Sequence, residues 1–310
     1  MFPLLGITLK LVSGVAFTAM SALIKAMSAE FPVGQLVFVR SFFAMIPLLL
    51  WLGWIGHISD IWRPRSLTGH LRRGVIGSTG MFLGFAALGK LPLPDAVAIG
   101  YAAPLIVVML AALVLGETVR IYRWSAVAVG FGGVLLMLSP HLAPGQLGRL
   151  SSGGPALGAV FALAGAVCSA FATIEIRRLT RTETTGAIVF YFMLLTTLLG
   201  LSTALFGWTV PRDAWSWFLL AMIGILGGVG QILMTMSYRH GDASLIAPFD
   251  YTQMIWAVLL GWFVFGEFPL PVVLVGAGIV VLAGLFVIWR EHRLGLLASR
   301  PREVEAAPLK

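Results

Sequence analysis

Ten apolar stretches, most of them about 20 residues long, follow one another along this chain of 310 residues and leave little sequence between them. A helix needs about 20 apolar residues to cross the hydrocarbon core of a bilayer, which is about 30 Å thick. Only 11% of the residues are Asp, Glu, Lys or Arg, whereas soluble domains carry about 25%. The chain lacks the polar surface of a water-soluble protein, and the pattern predicts an all-α integral membrane protein.

The apolar windows define the predicted spans, and polar breaks separate them. The ten windows are 4–27, 33–55, 74–91, 94–115, 122–139, 155–176, 186–207, 215–238, 243–265 and 270–289. Two breaks are longer than the others: 56–73 carries several arginines, and 140–153 is rich in Pro, Gly and Ser. The first window lacks a cleavage site of small residues, so we expect a retained span rather than a signal peptide.

Positive charges are distributed unequally between the two sides of this predicted topology. With the N-terminus in the cytoplasm, 16 of the 21 Lys and Arg residues fall inside, Lys10 and Arg73 among them, and four fall outside. Arg40 lies within a span and completes the total. Because cytoplasmic loops carry the excess of Lys and Arg, we expect a multi-pass protein of the cell inner membrane with both termini cytoplasmic.

Composition and motifs also limit the function classes. The net charge is +8, but the basic residues lie at the ends of apolar runs, so we expect no nucleic-acid partner. Cys168 is the only cysteine, which excludes an intrachain disulfide and a thiolate metal cluster, and we expect no metal and no cofactor. The GxxxxGK[ST] motif of ATP-driven pumps is missing. The HExxH motif of metalloproteases and the GxSxG motif of serine hydrolases are missing as well, so we do not expect an enzyme.

The two halves of the chain share an ordered series of residues. Gly77, Gly80 and Asp95 recur 147 residues later, and Tyr101 and Gly116-Glu117 recur 150 residues later, as Gly224, Gly227, Asp242, Tyr251 and Gly266-Glu267. Five spans per half is an odd number, so the second copy must lie upside down. We predict two inverted five-helix repeats, 1–139 and 154–289, with a periplasmic loop at 140–153 and a cytoplasmic tail at 290–310. Secondary transporters often have this architecture, with a substrate site between the repeats.

Three segments resemble a known family: the run Phe38 to Ala44, the stretch Ala96 to Pro104 followed by Gly116-Glu117, and the run Leu260 to Glu267. On these residues the chain resembles the ten-helix EamA-type members of the drug/metabolite transporter superfamily, and the similarity covers 4–289. The resemblance implies an exporter of amino acids, purine nucleosides, drugs or other metabolites. Amino-acid and drug exporters are the nearest members.

We therefore expect a secondary transporter that exports small metabolites, hydrophobic or aromatic amino acids or drug-like compounds, by alternating access around a central cavity. The alternative is a carrier of nucleotide sugars, nucleosides or lipid-linked substrates. Only Arg40 and Lys25 lie deep in the predicted spans, which disfavours highly anionic cargo. The partners expected are the bilayer and a small-molecule substrate. Transport is either coupled to a proton or simply downhill, and we expect a monomer to enclose the whole substrate site.

Two charged residues within the predicted spans are candidates for substrate binding. Arg40 is either a ligand for a substrate carboxylate or a structural cation that snorkels or pairs with a helix end. Asp250 either binds a substrate ammonium group or a proton, or forms a static ion pair with Arg40 or Lys25.

Further candidates come from the third, fourth, eighth and ninth spans, because an aromatic substrate needs aromatic walls and a few polar groups. These residues are Phe82, Phe85, Tyr101, Gln231, Thr235, Tyr238, Tyr251 and Trp256. Pro104 and Pro248 each remove a helical hydrogen bond within a span, and we predict kinks there that are either gating hinges or static bends. Glycines at GxxxG spacing, Gly80 with Gly84 and Gly224 with Gly228, predict helices in close contact.

Overall fold

The computed structural model describes residues 3–62, 64–115, 121–141, 154–241 and 246–293, and within these ranges it contains helices and no strand. The α-helices are α1 Pro3–Met27, α2 Val33–Trp54, α3 Leu67–Leu88, α4 Leu93–Gly100, α5 Ala102–Leu115, α6 Ile121–Leu138, α7 Pro155–Leu179, α8 Thr185–Ser202, α9 Ala214–His240, α10 Gln253–Phe265 and α11 Pro271–Arg293. Short 3-10 segments lie at Ile58–Trp62, Thr203–Phe206 and Ala247–Thr252. The predicted all-α class is confirmed.

Seven stretches of the described chain are long and apolar enough to cross a membrane: Leu4–Met27, Val33–Trp54, Leu93–Val114, Ile121–Leu138, Pro155–Leu179, Thr185–Phe206 and Ala214–His240. Shorter apolar helices cover Phe249–Phe265 and Pro271–Val287. The remaining helix, α3, is less apolar because it carries His70, Arg72 and Arg73. Taken together, with α4 and α5 as one interrupted span, these helices account for the ten predicted spans.

The outer surface of the bundle is apolar. Leu50, Leu135 and Phe263 are each about two-thirds or more exposed, and many other large hydrophobic side chains point outward as well. A contiguous apolar surface of this kind is stable in lipid and not in water. The chain is therefore a multi-pass membrane protein.

The third span begins earlier than its apolar run. Residue 74 is its predicted start, but α3 begins at Leu67, where Ser66 is the N-cap and its hydroxyl oxygen accepts the N–H of Gly69 at 3.2 Å. The predicted start is wrong because a hydropathy window stops at arginines, whereas a capped helix continues through them. As a result, Arg73 lies inside the helix and not in a loop.

Side-chain caps also start the helices that follow other loops. The hydroxyl of Thr184 accepts the N–H of Ala187 at 3.2 Å at the start of α8, and the Asp213 carboxylate accepts the N–H of Ser216 at 2.6 Å at the start of α9. The hydrogen bond from Ser216 stabilises the carboxylate and lowers the pKa of Asp213 below its ordinary value. The predicted starts of these two spans, residues 186 and 215, lie one residue after the observed helix starts.

Helices of the first half pack mainly against helices of the second half. α1 packs antiparallel against α9, α3 against α7, α6 against α11, and α2 against α8 and α9. If the halves are exchanged, the α1–α9 contact becomes the α7–α3 contact, which is the pairing expected of two related units. The repeat boundaries stay a prediction, and the Gly116-Glu117 pair, most of the loop 140–153 and the tail from 294 lie outside the described residues.

Glycines lie where these helices approach most closely. A Cβ on Gly80 of α3 would stand 3.0 Å from Cβ of Cys168 in α7, and a Cβ on Gly228 of α9 would stand 2.7 Å from the carbonyl oxygen of Ala44 in α2. Gly224 likewise faces Phe43. The predicted close helix contacts are present at these three glycines. Their partner Gly84 instead borders the central cavity.

We call the end of the bundle where α1 begins the amino face, and the other end the opposite face. Glu183, between α7 and α8, ties the amino face together. Its carboxylate accepts the backbone N–H groups of Arg65 and Ser66 at 2.7 Å each, and its carbonyl oxygen accepts a hydrogen bond from Arg239 of α9. This contact joins the start of α3 to three helices of the second half.

A second tie lies at the opposite face. Lys25 at the end of α1 forms an ion pair with Glu267 at 3.0 Å and donates to the carbonyl oxygen of Leu91 at 2.7 Å. Glu267 also accepts the N–H of Leu93 at 3.0 Å and so caps α4. Gly266 ends α10 with φ +65°, a left-handed conformation that favours glycine and turns Glu267 toward α4. The Gly-Glu pair of the sequence motif thus connects the two halves.

Candidate functional site

A central cavity of about 340 Å³ lies between the helices of the two halves. Its wall includes parts of α1, α2, α3, α4, α5, α7, α8 and α9, together with the 3-10 segment before α10. Much of the wall is small or apolar, with Gly77, Gly80, Gly84, Gly100 and Gly165 among the lining residues. Because glycine has no side chain, these positions leave the space that a small molecule would fill. The charged side chains within this wall decide what such a molecule can be.

An ion pair between Lys10 and Asp250 lies in the cavity wall. Lys10 Nζ is 2.9 Å from Asp250 Oδ2, and it also donates to the Tyr238 hydroxyl at 3.2 Å and lies 4.8 Å from the centre of that ring. The second carboxylate oxygen of Asp250 accepts from Gln253 Nε2 at 2.8 Å. Lys10 is 3% exposed, whereas Asp250 is 24% exposed and borders the cavity.

The expected partners of Asp250, Arg40 and Lys25, are therefore wrong, because Lys10 is the partner. Antiparallel packing of α1 against α9 brings Lys10 beside Tyr238, inside the bundle. Counting loop charges placed Lys10 with the cytoplasmic cations, although it lies within α1. Only the tertiary contact shows that its charge faces the cavity.

Arg40 points inward and lines the same cavity. It is 1% exposed, and its Nη2 donates to the carbonyl oxygen of Gly227 at 3.2 Å, with Gln231 Oε1 at 3.5 Å. Its Nε and Nη1 have no hydrogen-bond partner in the described chain. Arg40 therefore does not snorkel to a membrane surface, and most of its donors are unused.

Arg73 is a third cavity cation, which sequence reasoning missed. It is 3% exposed, and its Nε and Nη1 also have no hydrogen-bond partner among the residues described. The guanidinium carbon of Arg73 lies 3.8 Å from the centre of the Phe192 ring, and that of Arg40 lies 5.7 Å from the same centre. A cation over an aromatic face is stabilised by the ring quadrupole. The missed signal was the Ser66 cap, which shows that the helix runs through Arg73.

The described lining residues therefore carry three cations, Lys10, Arg40 and Arg73, and one carboxylate, Asp250. The expectation that only Arg40 and Lys25 lie deep in the protein is wrong, since Lys25 belongs to the opposite-face tie. After the Lys10–Asp250 pair is formed, the positive charges of Arg40 and Arg73 have no counter-charge among the described lining residues. The cavity is thus suited to a ligand with acidic groups, and the sequence argument against anionic cargo no longer holds.

Both broken spans meet beside this cavity. α4 ends at Gly100 and α5 begins at Ala102, with Tyr101 at the break. In the second half the 3-10 segment Ala247–Thr252 precedes α10 and contains Tyr251. The two tyrosine rings pack edge to face with centres 5.2 Å apart, and the Tyr101 hydroxyl donates to the carbonyl oxygen of Tyr251 at 2.8 Å.

The two prolines predicted as hinges or static bends lie at these breaks. Pro104 is the third residue of α5, and a proline ring clashes with the carbonyl four residues earlier, that of Gly100, where α4 ends. Pro248 lies in the 3-10 segment before α10. Motion at either position stays a prediction.

The other predicted site residues divide into two groups. Phe85, Tyr101, Gln231 and Tyr238 line the cavity, as do Arg40, Asp250 and Pro104. Phe82, Thr235, Tyr251 and Trp256 do not. Phe82 packs in a cluster with residues of α1 and α2, Thr235 is fully buried and donates to the carbonyl of Gln231, and Tyr251 lies behind Tyr101.

Trp256 was predicted to line the cavity, but it lies on the outer side of its helix. The buried stripe of α10 runs through Met254, Ala257 and Gly261, and Trp256 lies outside that stripe with 41% of its surface exposed. Residues two positions apart on a helix point to nearly opposite sides. The apolar run alone could not tell which side faces the protein.

Comparison with known proteins adds an independent observation. The model of the EamA-like transporter family matches residues 4–139 and 156–289. The chain is 29% identical over 280 residues to the pseudopaline exporter CntI of Pseudomonas aeruginosa, covering 90% of this chain and 94% of that protein. It is 30% identical over 290 residues to the riboflavin transporter of Rhizobium johnstonii, covering 91% and 90%.

Two further similarities extend this picture. The S-adenosylmethionine uptake transporter of Rickettsia prowazekii is 27% identical over 262 residues, which cover 84% of each chain. A solved crystal structure of a protein superposes with a TM-score of 0.65 at 20% identity, covering 91% of this chain and 98% of that one. At this identity the structural match concerns the fold alone. The names of these relatives include both an exporter and an uptake transporter, and three different substrates.

Proposed function

The chain belongs to the EamA-like transporter family, and from this premise we propose that it is a secondary transporter that exports small organic metabolites through the central cavity. The single observation that carries this proposal is the cavity of about 340 Å³ at the junction of the two halves, with charged and polar side chains in a wall that is otherwise apolar or glycine. Ligand pockets commonly combine apolar walls with a few placed polar groups. The volume is within the range of small-molecule sites.

Alternating access accounts for the ties at the two faces. Glu183 joins the halves at the amino face, and Glu267 joins them at the opposite face. A transporter of this type must release one such tie while the other holds, so that the cavity opens to one side at a time. The protein is proposed to lie in the inner membrane as a functional monomer, with both termini and the amino face in the cytoplasm.

The cargo proposed is a metabolite with a carboxylate and an apolar or aromatic part, and amino acids with hydrophobic or aromatic side chains belong to this class. The Lys10–Asp250 pair can exchange partners with a zwitterion, because the lysine would bind a carboxylate and Asp250 an ammonium group. Phe85 and Tyr101 supply aromatic wall beside the charged groups. Family membership does not choose among these cargoes, since the relatives named above handle different compounds.

Transport in proteoliposomes tests the proposal. The purified protein is reconstituted with internal amino acids, aromatic mono- and dicarboxylates, purines or cationic drugs, and uptake of the labelled compound is measured with and without a pH gradient. We expect saturable exchange of at least one amino acid or related carboxylate, and acceleration by the gradient would identify a coupled proton. No exchange of any compound above protein-free liposomes would refute the proposal.

Asp250→Asn provides the matched variant, because asparagine keeps the shape and the hydrogen bond from Gln253 but not the charge. We expect loss of exchange by a protein that still elutes as the parent does, with a lower melting temperature because the buried Lys10 loses its anion. Trp262→Ala is the control, since Trp262 is 56% exposed on the outer side of α10. Unchanged exchange in Asp250→Asn would remove Asp250 from the transport site.

A further inference from the structure

Two guanidinium groups in the cavity wall lack a counter-anion in the part of the chain that the structure describes. Arg40 and Arg73 are 1% and 3% exposed, and in each the Nε and Nη1 atoms have no hydrogen-bond partner there. Buried donors that stay unpaired cost about 1–3 kcal/mol each, and more when they are charged. Both side chains line the cavity, so an acidic ligand could supply the missing acceptors.

The surrounding backbone makes room for both groups. A Cβ on Gly77, one turn after Arg73, would overlap Arg73 Nη1 and lie 2.9 Å from the Phe192 ring. A Cβ on Gly227 would lie 2.7 Å from Arg40 Nε. Glycine at these two positions therefore permits the guanidiniums to occupy their places. The site is built by three helices: α2 and α3 supply the arginines, and α8 supplies Phe192.

Electrostatics favours a ligand with two negative charges. The guanidiniums of Arg40 and Arg73 both lie near the Phe192 ring, and two like charges in a site of low dielectric repel each other. Asp250 does not neutralise either arginine in this structure, because its carboxylate pairs with Lys10 at 2.9 Å. A ligand with a single negative charge would compensate one arginine, and a ligand with two would compensate both.

The chemistry of arginine defines the acidic group further. Guanidinium presents N–H donors in a planar fork that matches the two oxygens of a carboxylate or a phosphate. Both guanidinium carbons lie within 6 Å of the centre of the Phe192 ring, so the two groups belong to one part of the cavity wall.

We propose that Arg40 and Arg73, with the ring of Phe192, form a binding site for a dianionic group on the cargo, either two carboxylates or one phosphate monoester. This inference rests on the proposed transport function and narrows the cargo to metabolites that carry two negative charges at one end. The rest of the molecule would extend along the glycine-rich wall toward the Lys10–Asp250 pair.

Binding to the full-length protein in lipid nanodiscs tests this site. Three aromatic probes are compared by titration calorimetry at about pH 8, where phosphate monoesters are dianionic: phenylsuccinate, phenyl phosphate and 3-phenylpropionate. We expect at least one dianion to bind about tenfold more tightly than the monoanion 3-phenylpropionate, which corresponds to one lost charge-assisted contact. The stronger of the two dianions identifies the acidic group as paired carboxylates or as a phosphate.

Arginine variants show whether the preference comes from this site. Arg73→Gln and Arg40→Gln are each expected to reduce the preference for the dianion to less than about threefold, whereas binding of the monoanion changes less. Arg178→Gln is the matched control, because Arg178 is a partly exposed cation that pairs with Glu175 at the end of α7. Its preference should equal that of the parent.

Two further variants keep the charge and so remain informative where removal of an arginine prevents folding. Gly77→Ala places a methyl group where Arg73 Nη1 lies, and Arg73→Lys replaces the planar fork by a single ammonium. Both should reduce the preference for the dianion. Equal affinity for all three probes in the parent, or a preference that survives every one of these variants, would overturn the inference.

The two experiments distinguish failure of the two-arginine site from failure of the proposed transport function. Exchange of an amino acid in proteoliposomes without any preference for a dianion would refute the two-arginine site and leave the transport proposal standing. Absence of exchange and of binding with every compound tested would refute both.

Discussion

Single residues decide the charge of the cavity. Lys10, Arg40 and Arg73 lie in helices whose remaining residues are mostly apolar, and each is almost fully buried. Burying a charge is costly unless it is paired and hydrogen-bonded. Only Lys10 of these three has an acidic partner in the described chain, which is Asp250. The pair and the two unpaired arginines therefore have different roles.

The Lys10–Asp250 pair should show strong energetic coupling. Lys10→Met leaves Asp250 without its cation, and we expect a loss of roughly 2–3 kcal/mol in unfolding free energy. This is below the 3–5 kcal/mol of a fully buried pair, because Asp250 is 24% exposed. Thermal and denaturant unfolding in detergent would measure the loss, and the double variant Lys10→Met/Asp250→Asn should cost less than the two single changes together. Strict additivity would show that the two side chains do not stabilise each other.

Sequence reasoning found half of the charged site. Arg40 and Asp250 were predicted because a charge within an apolar run is expensive and conspicuous. Arg73 was missed because it lies beside the loop arginines, where its charge is unremarkable. The pairing of Asp250 with Lys10 was missed because it depends on which helix packs against α1, and no periodicity in the sequence contains that information.

At the scale of whole elements, close helix contacts depend on glycine. Gly80 of α3 stands against α7, and Gly224 and Gly228 of α9 stand against α2. Close backbone approach increases van der Waals contact between helices in lipid, where no hydrophobic driving force brings them together. These contacts hold the two halves to each other.

Gly80→Leu should disrupt the contact of α3 with α7. The added side chain would meet Cβ of Cys168 and the backbone of Gly165, and overpacking of this kind costs about 1–3 kcal/mol or more. We expect a lower melting temperature and less folded protein in size-exclusion chromatography. Gly132→Leu is the control, since a Cβ on Gly132 of α6 meets nothing within 4 Å. If the two variants had the same melting temperature, close packing at Gly80 would not contribute to stability.

Hydropathy predicted most of the helices, whereas their interruptions were indicated only by proline. Hydropathy locates a span because the bilayer fixes its length and polarity. It cannot locate the start of α3, which the Ser66 cap fixes. It also reads α4 and α5 as one helix, although the chain breaks at Tyr101. Pro104 was predicted to kink this span, since a proline disturbs the helix four residues before itself.

The whole molecule has two faces that differ in charge, and its orientation can be tested directly. Single cysteines are introduced into a Cys168→Ser background at exposed positions: Ala29 and Arg212 at the opposite face, and His57 and Arg181 at the amino face. We expect an impermeant maleimide to label the first two in intact cells and the other two only after lysis, because positive loops stay in the cytoplasm. Each face is probed in both halves of the chain.

Labelling of both members of a face from the same side would establish that the halves have opposite orientation. If Arg181→Cys reacted in intact cells while His57→Cys did not, the inverted arrangement would be wrong. Labelling of all amino-face positions from outside would instead reverse the predicted orientation in the membrane and leave the fold unaffected.

The hydrogen bond from Tyr101 to the backbone of Tyr251 has a mechanical consequence. It links the break between α4 and α5 to the 3-10 segment that interrupts the corresponding span of the second half. We therefore expect a displacement of one break to be transmitted to the other half without passing through an intervening loop. If the two breaks move together in this way, a leak in which both ends of the cavity are open at once would require this hydrogen bond to break.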